Sequence, residues 1–252
     1  MEVNLNNIFT PVSAKNEYQI KINLEKNGLC IINELETIDD FKKTSNSLGD
    51  VYRHRDSLSS GITKIAHTDA KNAGRGFSGF TNGSLEFHTD RSCLEKPPTL
   101  MMLFAERNSP LGGYSRLVDG KHLIELLYKH DDRSTLDFLT SPGQAIYSDA
   151  ELTYKGSLLY KRDNGKYGLR FRCDGNGYYS YQNFEKVRKV IEACRDIEHS
   201  FILPELNALV IDNERWLHGR TSFVGERSML RLLVNTGNWY EPGFSISEGI
   251  NQ

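Results

Sequence analysis

Apolar positions along this chain gather in short runs and alternating segments bounded by glycine and proline, and only three stretches carry a helical stripe. Leu29-Cys30-Ile31-Ile32, just after Gly28, is strand-like. Beyond Pro97-Pro98, Thr99-Leu100-Met101-Met102-Leu103-Phe104-Ala105 is a buried strand candidate. Pro110-Leu111-Gly112-Gly113 reads as a turn and Tyr114-Ser115-Arg116-Leu117-Val118 as the returning strand, so the two runs are expected to form a hairpin. Shorter pieces surround Leu158-Leu159-Tyr160 and Leu169-Arg170-Phe171. Ala208-Leu209-Val210-Ile211-Asp212 and the run 229–235 are further strands, with His218 expected on the loop between them.

The helices announce themselves by their caps. Thr37 precedes Ile38-Asp39-Asp40-Phe41 with Asp40 at the third position, as in a capping box, and that helix is expected to end near Gly49. Asp119 can cap a helix carrying Leu123, Ile124, Leu126 and Leu127. A third, over about 183–197, puts Phe184, Val187, Val190, Ile191 and Cys194 on one stripe. Residues 53–84 are polar, glycine-rich and without a period, which suits a functional loop or lid. The β-α-β alternation of a parallel doubly wound sheet is missing, so the expected fold is mainly β: an antiparallel jelly roll with helices packed outside. The expected organisation is one domain over 1–252, with a strand and helix region at 1–50, the lid at 53–84 and the core at about 85–240.

Composition excludes several function classes. Apolar residues make up 38% and charged residues 25%, and the net charge is -2, which gives no general attraction to nucleic acid or to anionic membranes. Cys30, Cys93, Cys173 and Cys194 are scattered without a C-x-x-C pair, as expected of reduced thiols. The N-terminus has neither the basic start nor the apolar run of a secretory signal, and the longest apolar run, 100–105, is strand-sized. The expected location is the cytoplasm, with a homo-oligomer left open.

Candidate chemistry starts at Phe87-His88-Thr89-Asp90. On an extended strand an imidazole and a carboxylate two residues apart project to the same side and can grip one metal ion. His218, in Asp212-Asn213-Glu214-Arg215-Trp216-Leu217-His218-Gly219-Arg220, can complete a face of two histidines and one carboxylate, which leaves three iron positions open. On the last strand Leu230, Leu232 and Val234 share one face, while Arg227, Met229, Arg231, Leu233 and Asn235 share the other if the strand extends back to Arg227. Two arginines there imply either a solvated exterior or an anion that offsets their burial.

These residues carry a resemblance. The run Phe87-His88-Thr89-Asp90, the Glu95-Lys96-Pro97-Pro98 step, the Gly112-Gly113-Tyr114-Ser115 turn, and the His218 segment followed by Arg227 and Arg231 resemble the taurine dioxygenase and clavaminate synthase group of iron(II)/2-oxoglutarate-dependent oxygenases. The likeness spans roughly 28–234 and implies a double-stranded β-helix with a cupin-like jelly-roll core. It implies Fe(II) on His88, Asp90 and His218 as the catalytic centre, with 2-oxoglutarate and O2 as co-substrates. Arg227 would pair with the distal carboxylate of 2-oxoglutarate. Ser115, where the group usually has threonine, would donate to the same carboxylate, and Arg231 would meet an acidic group of the substrate. The interval from His218 to Arg227 is shorter than the group's pattern, so the division of the two acids between the arginines stays open.

The reaction implied is hydroxylation of an unactivated C–H bond in a small carboxylate-bearing substrate, an amino acid or its derivative. Desaturation or cyclisation at the same site, or metal or small-acid binding without turnover, are the alternatives. Halogenating relatives replace the carboxylate by a small residue, so Asp90 implies oxygenation. His67-Thr68-Asp69 repeats the tripeptide, but only the second copy is followed by the proline step, the strand and the double glycine. Asn235, and Glu86 or Asp69 for a substrate amine, are the remaining candidates for the pocket. His54, His122, His130 and His199 are expected on the surface, and Cys93 in packing.

Overall fold

The computed structural model describes residues 8–66, 78–130, 132–149 and 151–246. Two sheets face each other. The larger runs in the order Val12–Ser13, Leu29–Asn33, Ala208–Asp212, Leu100–Arg107, Ser228–Asn235 and Asp50–Tyr52, with Thr63–Ala66 also paired to Ser228–Asn235. The smaller runs His199–Phe201, Ser115–Asp119, Trp216–Arg220 and Leu85–His88. Apart from the short parallel pair at the edge, Val12–Ser13 with Leu29–Asn33, the ladders of both sheets are antiparallel. This is the jelly roll expected from the sequence.

Strand parity sorts the apolar side chains into three layers. Met101, Leu117, Ile211, Trp216, Met229 and Leu233 meet between the sheets. On the outer face of the large sheet, Met102, Val210, Leu232 and Val234 pack under Ile20, Leu24, Phe41 and Leu48 of the helices Glu17–Asn27 and Ile38–Leu48. On the outer face of the small sheet, Phe87, Val118 and Leu217 pack under the helices Gly120–Lys129, Arg133–Thr140 and Phe184–Asp196. Both sheets are therefore covered outside, and the aliphatic face of the last strand is a helix seat, worth about 1.5–3 kcal/mol for each large side chain buried.

The caps form as the sequence indicates. Thr37 accepts from the Asp40 backbone N–H and Asp40 accepts from that of Thr37, closing the capping box, while Asp119 caps Gly120–Lys129. Helices Glu17–Asn27 and Arg133–Thr140 come in addition to the three expected.

Two expectations are corrected. Leu100–Arg107 and Ser115–Asp119 form no hairpin, because they lie in different sheets. Between them the chain passes over the rim at Leu111–Gly112, which pairs with Phe223–Val224. Gly112 and Gly113 both have φ +75°, and a Cβ on Gly112 would stand 2.2 Å from the Ser222 carbonyl oxygen, so the double glycine serves a close crossing between sheets. His218 lies within the strand Trp216–Arg220, not on a loop. Among the described residues no helix is long and apolar enough to cross a membrane, and the four cysteines are free thiols.

Candidate active site

His88 ends its strand on the inner face, and the small sheet sets it directly opposite His218. Their rings lie 4.2 Å apart, centroid to centroid. His88 Nδ1 is 3.0 Å from the Glu86 carbonyl oxygen, to which it donates, and this leaves the Nε2 lone pair free. Asp90 stands two residues past the strand end, in a turn held from outside. Its backbone N–H donates to Asn213 Oδ1 at 2.7 Å, while Asn213 Nδ2 donates to the carbonyls of Asp90 at 2.9 Å and Pro98 at 3.0 Å. Arg91, the next residue, has φ +55°, a conformation that costs a side-chain-bearing residue about 1–3 kcal/mol and persists only where the surroundings enforce it.

One ligand atom from each of His88, Asp90 and His218 lies within 4.8 Å of the other two. Nε2 of His88 is 3.8 Å from Asp90 Oδ1, and Nε2 of His218 is 3.8 Å from Oδ2. The donor set fits a divalent cation on a second count, since Asp90 Oδ2 is buried without a hydrogen-bond partner. Protonation states agree. Burial would raise the Asp90 carboxyl, but the Arg231 guanidinium beside it holds it well below the usual carboxylate range. Burial, helped by Arg172, lowers His88; burial, helped by His88, lowers His218 to about 3. Both rings are thus neutral, with lone pairs to offer.

The triad lines a cavity that is partly open to solvent. At one end Ser115 pairs in register with Arg220, and Arg227 follows the turn at Gly225. Gly113 makes room for it, since a Cβ there would lie 3.1 Å from Arg227 Nε. Neither Arg220 nor Arg227 has a carboxylate partner among the described residues; Arg220 donates instead to the Thr81 and Gly83 carbonyls. Burial lowers Arg220 to about 10, and burial with the charge of Arg220 lowers Arg227 to about 10. Two buried cations side by side call for an anion. Arg231, by contrast, reaches Asp90 Oδ1 at 3.0 Å.

The structure thus gathers His88, Asp90, His218, Ser115, Arg227 and Arg231 in one cavity. It does not bring Glu86 there. The ladder slips by one residue between the pairs His218↔His88 and Arg220↔Leu85, and this bulge turns Glu86 to the outer face, where it meets Arg195 at 3.1 Å and Arg116 at 3.9 Å. Asn235 is exposed at the far strand end beside Asp50, four residues or roughly 13 Å beyond Arg231. Asp69, with His67, lies outside the described residues. His54 is not on the surface: it lines the cavity, with Nε2 3.0 Å from Arg91 Nη1. Asn213, Arg220, the Arg172–Asp174 pair and the Arg91–Asp149 pair also stand at the site, and none was expected there from the sequence. The first two sit inside the His218 segment, so the motif offered a signal; the pairs are made by tertiary contact and offered none.

Comparison with known proteins follows the same line. The family described as Taurine catabolism dioxygenase TauD, TfdA family, matches residues 7–233. Human gamma-butyrobetaine dioxygenase is 26% identical over 170 residues, covering 61% of this chain and 44% of that protein. The trimethyllysine dioxygenase of Meyerozyma guilliermondii is 24% identical over 241 residues, covering 88% of this chain and 59% of that protein. The chain therefore spans less than two thirds of the length of either relative. Among solved structures, an asparagine oxygenase bound to Fe(II), 3-hydroxyasparagine and succinate superposes with a TM-score of 0.67 at 17% identity, over 88% of this chain and 79% of that one. The shared fold is the double-stranded β-helix.

Proposed function

The chain belongs to the taurine catabolism dioxygenase family, TauD/TfdA, and from that premise we propose that it is an iron(II)/2-oxoglutarate-dependent dioxygenase that hydroxylates a small carboxylate-bearing substrate, an amino acid or a derivative of one. The observation that carries this reading is the pairing, in one cavity, of a two-histidine, one-carboxylate cluster with a buried arginine that has no carboxylate partner among the described residues.

In this reading His88, Asp90 and His218 hold Fe(II). When bound, the iron and 2-oxoglutarate supply, with O2, the oxidant that attacks a C–H bond as 2-oxoglutarate is decarboxylated to succinate. The chain's own part is placement. The planar fork of Arg227 takes the distal carboxylate of 2-oxoglutarate through two parallel hydrogen bonds, with Ser115 donating alongside and Arg220 adding a second positive charge. Arg231, beside the metal position, takes an acid of the substrate. Ile65, Leu85, Met101 and Leu103 line the same cavity and keep water from the reacting centre. Asp90 would hold the metal with a carboxylate oxygen where a halogenating relative has a small residue, which supports oxygenation. A binding protein without turnover has no use for two separate anion anchors around one metal face. The free thiols fit a reducing, cytoplasmic compartment, and the absence of a basic surplus fits a small-molecule substrate rather than nucleic acid.

The test is succinate release and oxygen uptake with Fe(II) and 2-oxoglutarate across a panel of amino acids and their derivatives, with mass spectra of each hit. The expected result is metal-dependent succinate together with a product heavier by one oxygen atom. Absence of succinate with every compound, despite bound iron, refutes the reading; loss of two hydrogens instead identifies desaturation.

A further inference from the structure

The wall of the cavity is short of acceptors and rich in donors. Arg91, Arg220, Arg227 and Arg231 all line it, and the Nε–H of each is buried with no acceptor among the described residues. An unmatched buried donor is unfavourable until a ligand brings an oxygen to it.

The carboxylates are in the opposite condition. Asp149 Oδ1 accepts the backbone N–H groups of Glu151 at 2.9 Å and Leu152 at 2.8 Å, and its Oδ2 accepts Arg91 Nη1 at 2.6 Å and the Cys93 thiol at 3.2 Å. Asp174 Oδ1 accepts Arg172 Nε at 2.8 Å and the Asn176 backbone N–H at 3.1 Å, and its Oδ2 accepts Arg172 Nη2 at 2.5 Å. Asp56, its side chain 26% exposed, accepts Arg55 Nε at 3.3 Å, while its backbone N–H donates to His54 Nδ1 at 3.1 Å. Among the buried carboxylates described in the wall, Asp90 alone keeps a bare oxygen, and that oxygen lies 3.8 Å from His218 Nε2. Among the described residues, no buried carboxylate in the wall is left to receive a substrate ammonium group; Asp56 stands at the exposed rim.

A quaternary ammonium would need aromatic faces around it. Phe80 is the only Phe, Tyr or Trp ring lining the cavity among the described residues. Tyr52 is not part of the lining, and its hydroxyl accepts Arg91 Nη2 at 3.4 Å. With Arg220 and Arg227 assigned to 2-oxoglutarate, Arg91 and Arg231 remain, one following Asp90 in the chain and the other 3.0 Å from its carboxylate. Once Asp90 shares its charge with a divalent cation, Arg231 is left undercompensated.

Building on the function proposed above, we infer that the primary substrate is a net anion whose nitrogen, where it has one, carries no charge: an N-acylated amino acid, or a hydroxy or dicarboxylic acid, rather than a free amino acid or a betaine. Its oxygens meet the donors of Arg231 and Arg91, and its uncharged part lies against Phe80, Leu85 and Leu103.

Calorimetric titration of the full chain, loaded with Mn(II) and N-oxalylglycine, tests this with matched pairs: N-acetyl-L-glutamate against L-glutamate, and glutarate against gamma-butyrobetaine. The expected result is that the member without the cationic nitrogen binds at least tenfold tighter in each pair, and that Arg231→Gln removes the difference. Equal or tighter binding of glutamate or the betaine overturns the inference while leaving the oxygenase reading intact. So does failure of all four compounds to bind where N-oxalylglycine binds. If N-oxalylglycine itself does not bind the Mn(II) protein, the oxygenase reading falls, and this inference with it.

Discussion

Asn213 touches Asp90 only through the backbone, yet its hydrogen bonds decide where that carboxylate stands. Asn213→Ala strands a buried N–H and two carbonyls. It should destabilise the protein by about 2–4 kcal/mol in urea unfolding, and should weaken Fe(II) binding roughly 10- to 100-fold, as losses behind a metal ligand do. Arg227→Ala should raise the apparent KM for 2-oxoglutarate about 10- to 100-fold and Arg231→Ala much less, because only Arg227 lacks a carboxylate already; equal effects in steady-state assays would mean that the two acids are divided otherwise. The buried histidines set a pH dependence. The unfolded chain takes up protons near 6.5, whereas burial delays His54 to about 4 and His218 to about 3. Stability from these neutral rings is whole above about pH 6.5 and drains as pH falls. Asp212 opposes this: burial and the charge of Glu214 raise it from 3.8 to about 6, so its contribution is present below 3.8 and is lost as pH rises through 6. Urea midpoints of the metal-free protein should therefore fall between pH 7 and 5, and fall further in Asp212→Asn. The ligand residues were legible because their types and order carry the chemistry. Glu86 was misplaced because a one-residue bulge, invisible in the sequence, reverses its face.

At the level of elements, agreement depended on how local the cause was. The capping box at Thr37 and the cap at Asp119 lie within a few residues of what they satisfy, and both helices were found from them. The helix Glu17–Asn27 was missed because Tyr18, Ile20, Ile22 and Leu24 alternate as a strand would, while burial selects only Ile20 and Leu24, one turn apart. The supposed hairpin failed for a related reason: a double glycine signals a positive φ but not which strand the chain approaches. Gly112→Ala should cost about 1–3 kcal/mol in urea unfolding, since its Cβ would meet the Ser222 carbonyl and the φ of +75° is unfavourable for alanine. Leu232→Ala, at the seat of the outer helices, should cost about 2–5 kcal/mol while leaving metal affinity unchanged, because that face of the strand points away from the cavity.

For the molecule as a whole, one strand joins stability to chemistry. Ser228–Asn235 gives Leu230, Leu232 and Val234 to the helices and Arg231 to the cavity, and the small sheet divides in the same way, with Phe87 and Leu217 outside and His88 and His218 inside. The helices that cover both sheets leave the space between them free to hold charge at one end. Equilibrium binding of Fe(II), followed by 2-oxoglutarate, tests this account most directly when the wild type is compared with His88→Ala, Asp90→Ala and His67→Ala under anaerobic conditions. One iron per chain and iron-dependent binding of 2-oxoglutarate are expected in the wild type and in His67→Ala, with both lost in His88→Ala and Asp90→Ala. Retention of stoichiometric iron by those two variants, with its loss in His67→Ala, would contradict it.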